Sequence, residues 1–359
     1  MIGGAPVITL QRPRLAAQDK PQFLQVQVLP GRGMNILQIR AWLPGLGEIK
    51  LLSSPELSKV RRVLTGDGAD RYGNKSFSLG GAILVPYPNR IRGKLLPGGD
   101  EIETFIAGKK VRLPANWKGK NPGAEKHAMH GLILAAKMDN VQQAHTAKES
   151  SVTGSLLAGD FSGHWISSTD LRVRVTLKDD SVELEVVATN VGGEKLPIAL
   201  GWHPYFVFPS HHRKQVRLHI PGRQRALVNN YDDVFPTGKV ESVRGTAHDF
   251  TAPEGRALGD LYLDDNFFDL IRQPDGSVVA KVIDPEALYE LRVISESPHI
   301  HAFQVYAPPS KSFVALEPQF NLTDPFNSKI WDGRDTGIVM LNPGESVKYT
   351  VRLELGIVE

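Results

Sequence analysis

Leu171-Arg-Val-Arg-Val-Thr-Leu177, a turn at Lys178-Asp179-Asp180, and Ser181-Val-Glu-Leu-Glu-Val-Val187 decide the fold class. Apolar and polar side chains alternate on both sides of the turn. Successive side chains on a strand point to opposite faces, so each run has one apolar face and one wet face. Two such runs joined by a short polar turn read as an antiparallel hairpin. The same habit recurs at 22–29, 215–220, 287–294 and 347–355, and the 34 Gly and 25 Pro supply the breaks between short strands. Helical spacing shows at 55–64, where Leu57, Val60 and Leu64 share a face, Pro55 opens the segment and Gly66 follows it. Helix and strand do not alternate, which argues against a doubly wound parallel sheet. The expectation is an all-β, antiparallel fold of stacked sheets with few short helices. The stretch 108–126, rich in Lys, Gly, Pro and Asn, reads as an exposed loop. Strand-like text flanks it on both sides, so residues 1–359 are read as one domain.

Composition narrows the function. The chain has 359 residues, 41% of them apolar and 23% charged, which is the make-up of a folded protein. The 42 Lys+Arg against 39 Asp+Glu leave a formal charge of +3, spread along the chain, so no nucleic-acid partner is expected. Cysteine is absent, which removes thiol catalysis, disulfide frameworks and Cys-based metal sites and leaves the redox compartment open. No apolar run approaches the roughly 18 residues of a membrane helix. Met1-Ile-Gly-Gly-Ala-Pro-Val7 lacks a basic start followed by a long apolar stretch. A cytoplasmic location is therefore expected, although a removed signal peptide would leave the same sequence, and a monomer or homodimer is expected.

Five segments carry polar residues where strand filler would not. Val85-Pro-Tyr-Pro-Asn-Arg-Ile-Arg-Gly93 offers an amide and a guanidinium, Asn89 and Arg90, to hydroxyls of a small ligand. Read alone, it is more readily a turn Asn and a surface Arg. His127-Ala-Met-His-Gly-Leu-Ile133 puts His130 before a glycine that allows close backbone approach. Ala199-Leu-Gly-Trp-His-Pro-Tyr-Phe206 sets His203 among aromatic rings, where a low dielectric holds an imidazole near neutrality or below. In Leu261-Tyr-Leu-Asp-Asp-Asn-Phe-Phe268 the adjacent Asp264 and Asp265 face opposite sides of a strand, so at most one enters a given site. Glu317 ends the apolar run Phe313-Val-Ala-Leu316, shares a face with Gln319, and on partial burial becomes a better base. His299-Ile-His301 has spacing that suits a metal, but no third ligand is near in sequence, so neither metal nor cofactor is expected. Walker, Gly-x-Gly-x-x-Gly and Gly-x-Ser-x-Gly signatures are absent.

Taken in order, Asn89-Arg90, His130-Gly131, His203-Pro-Tyr-Phe206, Asp264 with Asn266-Phe267, Gln304-Val-Tyr306, and Glu317-x-Gln319 with Asp324 and Asn327 resemble the aldose 1-epimerase (galactose mutarotase) family. The resemblance covers nearly the whole chain. It implies a galactose mutarotase-like β-supersandwich with an open sugar cleft and a monosaccharide substrate. It also implies Glu317 as general base, His203 as general acid and His130 assisting at the ring oxygen, with Asn89, Arg90, Asp264 and Gln304 binding the sugar. The chain departs from the family at Asp265, where a His is common, and the segment after Glu317 is a variant of the usual run. Three alternatives stand beside an epimerase of free aldoses. One is a hexose-phosphate 1-epimerase using Arg92, Lys94 or the 108–126 segment. Another is a non-catalytic sugar-binding protein of the same fold. The third is a glycoside hydrolase or lyase pairing Glu317 with Asp264.

Overall fold

The alternation that begins at Leu171 produces the expected hairpin in the computed structural model, which describes residues 1–15, 20–64 and 70–358. The strand Thr169–Lys178 pairs with Ser181–Asn190 in antiparallel register, Leu177 opposite Val182. Leu171, Val173, Val175 and Leu177 are fully buried, while Arg172 and Arg174 turn away from the core. The C-terminal strand Ser346–Ile357 joins this hairpin on one side and Tyr289–Ser295 on the other. These strands belong to a nine-stranded sheet that faces an eleven-stranded one, with smaller sheets beside them. A continuous apolar core links the two layers: Val26 and Ile39 of the larger sheet lie in one cluster with Val173, Leu184 and Val351 of the smaller.

Three α-helices occur among the described residues, and all are short. The segment expected at 55–64 forms a helix over Leu57–Val63; its Val60 packs with Ile2, Leu29 and Leu37. Gly66, expected to end it, lies outside the described residues. The strand expected to begin at Ala287 starts at Tyr289, because Pro285–Ala287 close into a 3₁₀ turn capped by Asp284.

The reading of 108–126 as a loop is corrected. Lys109–Pro114 is a strand paired with Glu101–Ile106, and Trp117–Lys118 pairs with Lys126–Met129. Val111 and Leu113 alternate into the core at 7% and 0% exposure, while Lys110 and Arg112 face outward. The basic outer face hides a two-residue period that is real but short.

Candidate active site

Strand parity builds the site. In Gly201–Val207, Trp202 and Phe206 enter the core, so His203 and Tyr205 emerge on the other face of the large sheet. In Phe313–Gln319, Val314 and Leu316 go inward and Glu317 outward. Phe303 and Val305 are core residues of Ala302–Ala307, which leaves Gln304 and Tyr306 on the cleft side. Pairing register then aligns these side chains across strands. Gly201 opposes Gln319 and Tyr205 opposes Ala315, which sets His203 across from Glu317. Glu317 opposes Gln304, and Gln304 opposes Asn266. The next row runs from Tyr205 through Ala315 and Tyr306 to Asp264.

These rows floor a cavity of about 300 Å³, at the small end of ligand pockets and suited to a single ring. Arg90, His130, His203, Asp264, Gln304 and Glu317 line it, with Phe77, Trp117, Tyr205, Tyr231, Tyr262 and Tyr306 as aromatic walls. Six of the seven side chains singled out in the sequence therefore share one cavity. Asn89 does not line it. It is fully buried behind the wall, where its amide donates to Gln304 Oε1 at 2.9 Å and accepts from Arg90 Nη1 at 3.0 Å. Gln304 passes the support on, donating to Asp264 Oδ1 at 2.7 Å, and Arg90 Nη2 lies 3.7 Å from Asp264 Oδ2. Four polar side chains thus close a ring that fixes the orientation of three cavity residues.

Backbone geometry presents His130. Asn89 and His130 both adopt left-handed conformations, φ 63° and 60°, and His130 N donates to Asn89 O at 2.8 Å. Strain of this kind is held only where the surroundings enforce it, and it concentrates at functional sites. Gly131 follows at φ 77°, and a Cβ there would sit 2.2 Å from the Val85 carbonyl oxygen.

His203 Nε2 lies 3.2 Å from Glu317 Oε1, both groups nearly inaccessible. Burial disfavours charge on each. It pushes the Glu317 carboxyl well above its usual value, with the Asp264 charge adding to the rise and Arg90 opposing it. Burial, helped by the Arg90 charge, pulls His203 down to about 3. His130 is also held well below its ordinary value, by burial first and then by His203. Asp264 is raised to about 6 by burial, with Arg90 pulling the other way. Buried polar atoms without a protein partner gather here: Glu317 Oε2, His130 Nδ1 and Arg90 Nε. Such atoms are rare in native proteins, and a cluster of them in a cavity wall favours a polar ligand.

His130, His203 and Glu317 also bring ligand-type atoms within 4.8 Å of one another, a set able to hold a divalent metal that sequence spacing did not reveal. A metal-bound imidazole almost always donates its second ring nitrogen to an oriented acceptor. His203 turns Nε2 toward Glu317, and its second ring nitrogen, Nδ1, has no such partner, so the support for a resident metal is not built. His299 and His301, the pair with metal-like spacing, stand outside the cavity lining.

The sequence left open which aspartate enters the cavity. Asp264 does. Asp265, on the other face of the strand, is fully buried against Arg225 Nη1 at 2.6 Å and Tyr231 Oη at 3.2 Å. Arg92 is committed to Glu125 through two hydrogen bonds of 2.9 and 3.0 Å, and Lys94 lies on an exposed two-residue strand. Lys118 and Lys120 do line the mouth of the cavity, from the segment that reads as a loop. Phe77, Trp117, Tyr231 and Tyr262 were not singled out in the sequence. An aromatic residue inside an otherwise polar stretch, as at Trp117 and Tyr231, was the available signal.

Comparison with known proteins adds the family. The sequence profile of the aldose 1-epimerase family matches residues 51–354. A galactose mutarotase-like protein from Clostridium acetobutylicum superposes with a TM-score of 0.74 at 16% identity, over 97% of this chain and 98% of that one. A GalM/aldose epimerase homologue from C. elegans gives 0.69 at 17% identity, over 99% of both chains. Galactose 1-epimerase from Lactobacillus acidophilus gives 0.67 at 16% identity, again over 99% of both. At these identities the superpositions speak to the fold, which is galactose mutarotase-like. The profile spans most of the sequence, and the chain belongs to the aldose 1-epimerase family.

Proposed function

We propose that the protein interconverts the α and β anomers of an aldose by general acid–base ring opening and closure. Glu317 takes the proton from the C1 hydroxyl as the C1–O5 bond breaks, and His203 delivers a proton to O5. Rotation about C1–C2 then exposes the other face of the aldehyde, and the same two groups run the steps in reverse. The reaction needs no redox partner, only two proton transfers, each typically contributing about 10²–10⁴-fold.

The observation that carries this reading is the buried contact between His203 and Glu317 on the cavity floor. The two groups are neighbours across one strand pair. O1 and O5 are bonded to the same carbon, so an acid and a base about one hydrogen bond apart suit them. A carboxylate with an imidazolium and a carboxylic acid with a neutral imidazole contain the same number of protons. Ring opening converts the first pair into the second. Burial favours that second, uncharged pair. The charged pair that begins ring opening therefore has to be formed as the sugar binds, with the Arg90 guanidinium favouring the ionised form of Glu317. Arg90, Asp264 and Gln304 bind the remaining hydroxyls, His130 supports the ring oxygen, and Asn89 acts from behind by holding Gln304 and Arg90.

A phosphorylated hexose is a second reading, favoured by Lys118 and Lys120 at the cavity mouth. Polarimetry on freshly dissolved α-D-glucose, α-D-galactose and glucose 6-phosphate tests both. Catalysed mutarotation that survives a chelator is expected. A protein that binds these sugars without speeding their mutarotation ends the enzymatic reading.

A further inference from the structure

Tyr231 is 41% exposed, yet its hydroxyl is tied down from behind the sheet. It donates to both oxygens of Asp265 at 3.2 Å, and Asp265 is fully buried. A fully buried carboxylate is costly unless its partners are in place. The plain explanation for Asp265 is that it neutralises Arg225, but Arg225 already holds Glu241 at 2.7 Å. The arrangement instead fixes an aromatic ring at the edge of the cavity. Tyr262 packs against that ring at 4.9 Å, and both line the cavity. The neighbouring residue continues the pattern. Asp232 accepts from the backbone N–H groups of Lys120 and Asn121, each at 2.8 Å, which pins the opposite lip next to Tyr231.

We propose that Tyr231 is a specificity-determining wall of the sugar cleft, with Asp265 and Arg225 as its positioning residues. The proposal rests on the reading of the cavity as a sugar site. The ring presents an apolar face to the C–H face of a pyranose, the kind of contact aromatic side chains make while their polar tip stays hydrogen-bonded. Between Tyr231 and His203 a chain of ring contacts runs through Tyr262, Tyr306, Phe313 and Tyr205. Tyr231 thus acts on binding and takes no part in the proton transfers. Which aldose is accepted then depends on which hydroxyls leave a C–H surface for this ring.

Calorimetric titration with D-galactose and D-glucose, beside polarimetric kinetics on the same samples, tests the proposal. Tyr231→Ala is expected to weaken binding about tenfold, with the loss in KM far exceeding that in kcat. Tyr231→Phe keeps the ring but frees it, and about a threefold loss is expected. Asp265→Asn keeps a weaker, uncharged partner for the hydroxyl, so its loss is expected to be no greater than that of Tyr231→Phe, and the double variant is expected to lose no more than Tyr231→Phe alone, since the amide then has no hydroxyl to hold. Unchanged affinity in Tyr231→Ala overturns the proposal, and so does full additivity of Asp265→Asn and Tyr231→Phe. If Asp265→Asn fails to fold, the two Tyr231 variants decide alone. A wild-type protein that binds sugar without turnover ends the epimerase reading while leaving Tyr231 to be judged on affinity. One that binds neither free sugar nor glucose 6-phosphate overturns both.

Discussion

His203 and Glu317 face each other across an antiparallel strand pair, Nε2 to Oε1 at 3.2 Å, with almost no surface on either. Their contact follows from register alone: Gly201 opposite Gln319 and Tyr205 opposite Ala315. If Glu317 is the base, Glu317→Gln keeps the shape and removes the proton acceptor. A rate loss of about 10²–10⁴-fold is expected, with sugar affinity nearly unchanged. Polarimetry and calorimetry on the variant read both, and an unimpaired rate removes Glu317 from the mechanism.

The same substitution alters stability with a definite sign. Burial raises the Glu317 pKa above its ordinary value of 4.5, so the folded protein keeps a proton that the unfolded chain gives up. Above pH 4.5 wild-type stability therefore declines with rising pH on this group's account, until the folded carboxyl also ionises. His203 contributes the opposite slope between about 3 and 6.5 and is neutral in both the folded and the unfolded chain above that range, so the difference between the two proteins reads Glu317 most cleanly above pH 6.5. The melting-temperature advantage of Glu317→Gln over wild type is expected to widen as pH rises above 4.5. A difference that does not vary with pH contradicts the burial argument.

Asp264 titrates at about 6, raised by burial against the pull of Arg90. As pH falls through that value the carboxylate takes up a proton and loses its charge as an acceptor for sugar hydroxyls. The free protein's groups govern kcat/KM, which is expected to fall on the acid side of pH 6. In Asp264→Asn the inflection should vanish, at a lower plateau. An inflection that persists in the variant belongs to another group.

Gly131 holds His130 against the strand that precedes Asn89. With φ at 77° and a Cβ position 2.2 Å from the Val85 carbonyl oxygen, alanine meets both backbone strain and a collision. Gly131→Ala is expected to cost on the order of 3 kcal/mol and to displace His130. Chemical denaturation measures the first. The second predicts that KM and kcat worsen together.

How much of this was legible beforehand follows from the range of each interaction. The hairpin at 171–187 is local, and its alternation in sequence is its alternation in space. The five chemistry-bearing segments stood out because polar groups interrupted apolar strands. Their convergence is not local. Nothing near Asp264 or Asp265 says which one enters the cavity until Asp264 is placed opposite Tyr306. Asn89 reads in sequence as a ligand contact, and only its bond to the amide of Gln304, 215 positions away, shows that it sits behind the cavity wall. Tyr231 gave little sign because its meaning lies in a buried carboxylate 34 positions on. The 108–126 segment misled for a different reason: lysines on the outer face of a short strand outweighed Val111 and Leu113 on the inner one.

The two rows of cross-strand neighbours have a consequence for assembly. His203, Glu317, Gln304 and Asn266 come into line only when four strands drawn from the range 201–319 have all docked in register. A slip of one residue in any of them turns a site side chain to the opposite face of the sheet. Such a topology is rich in distant pairings, which slow folding because long loops must close before their contacts repay the lost entropy. No fragment ending before residue 317 contains the full constellation, so a nascent chain would acquire activity abruptly and late. Recovered turnover after dilution from denaturant would then report completion of the large sheet as a whole.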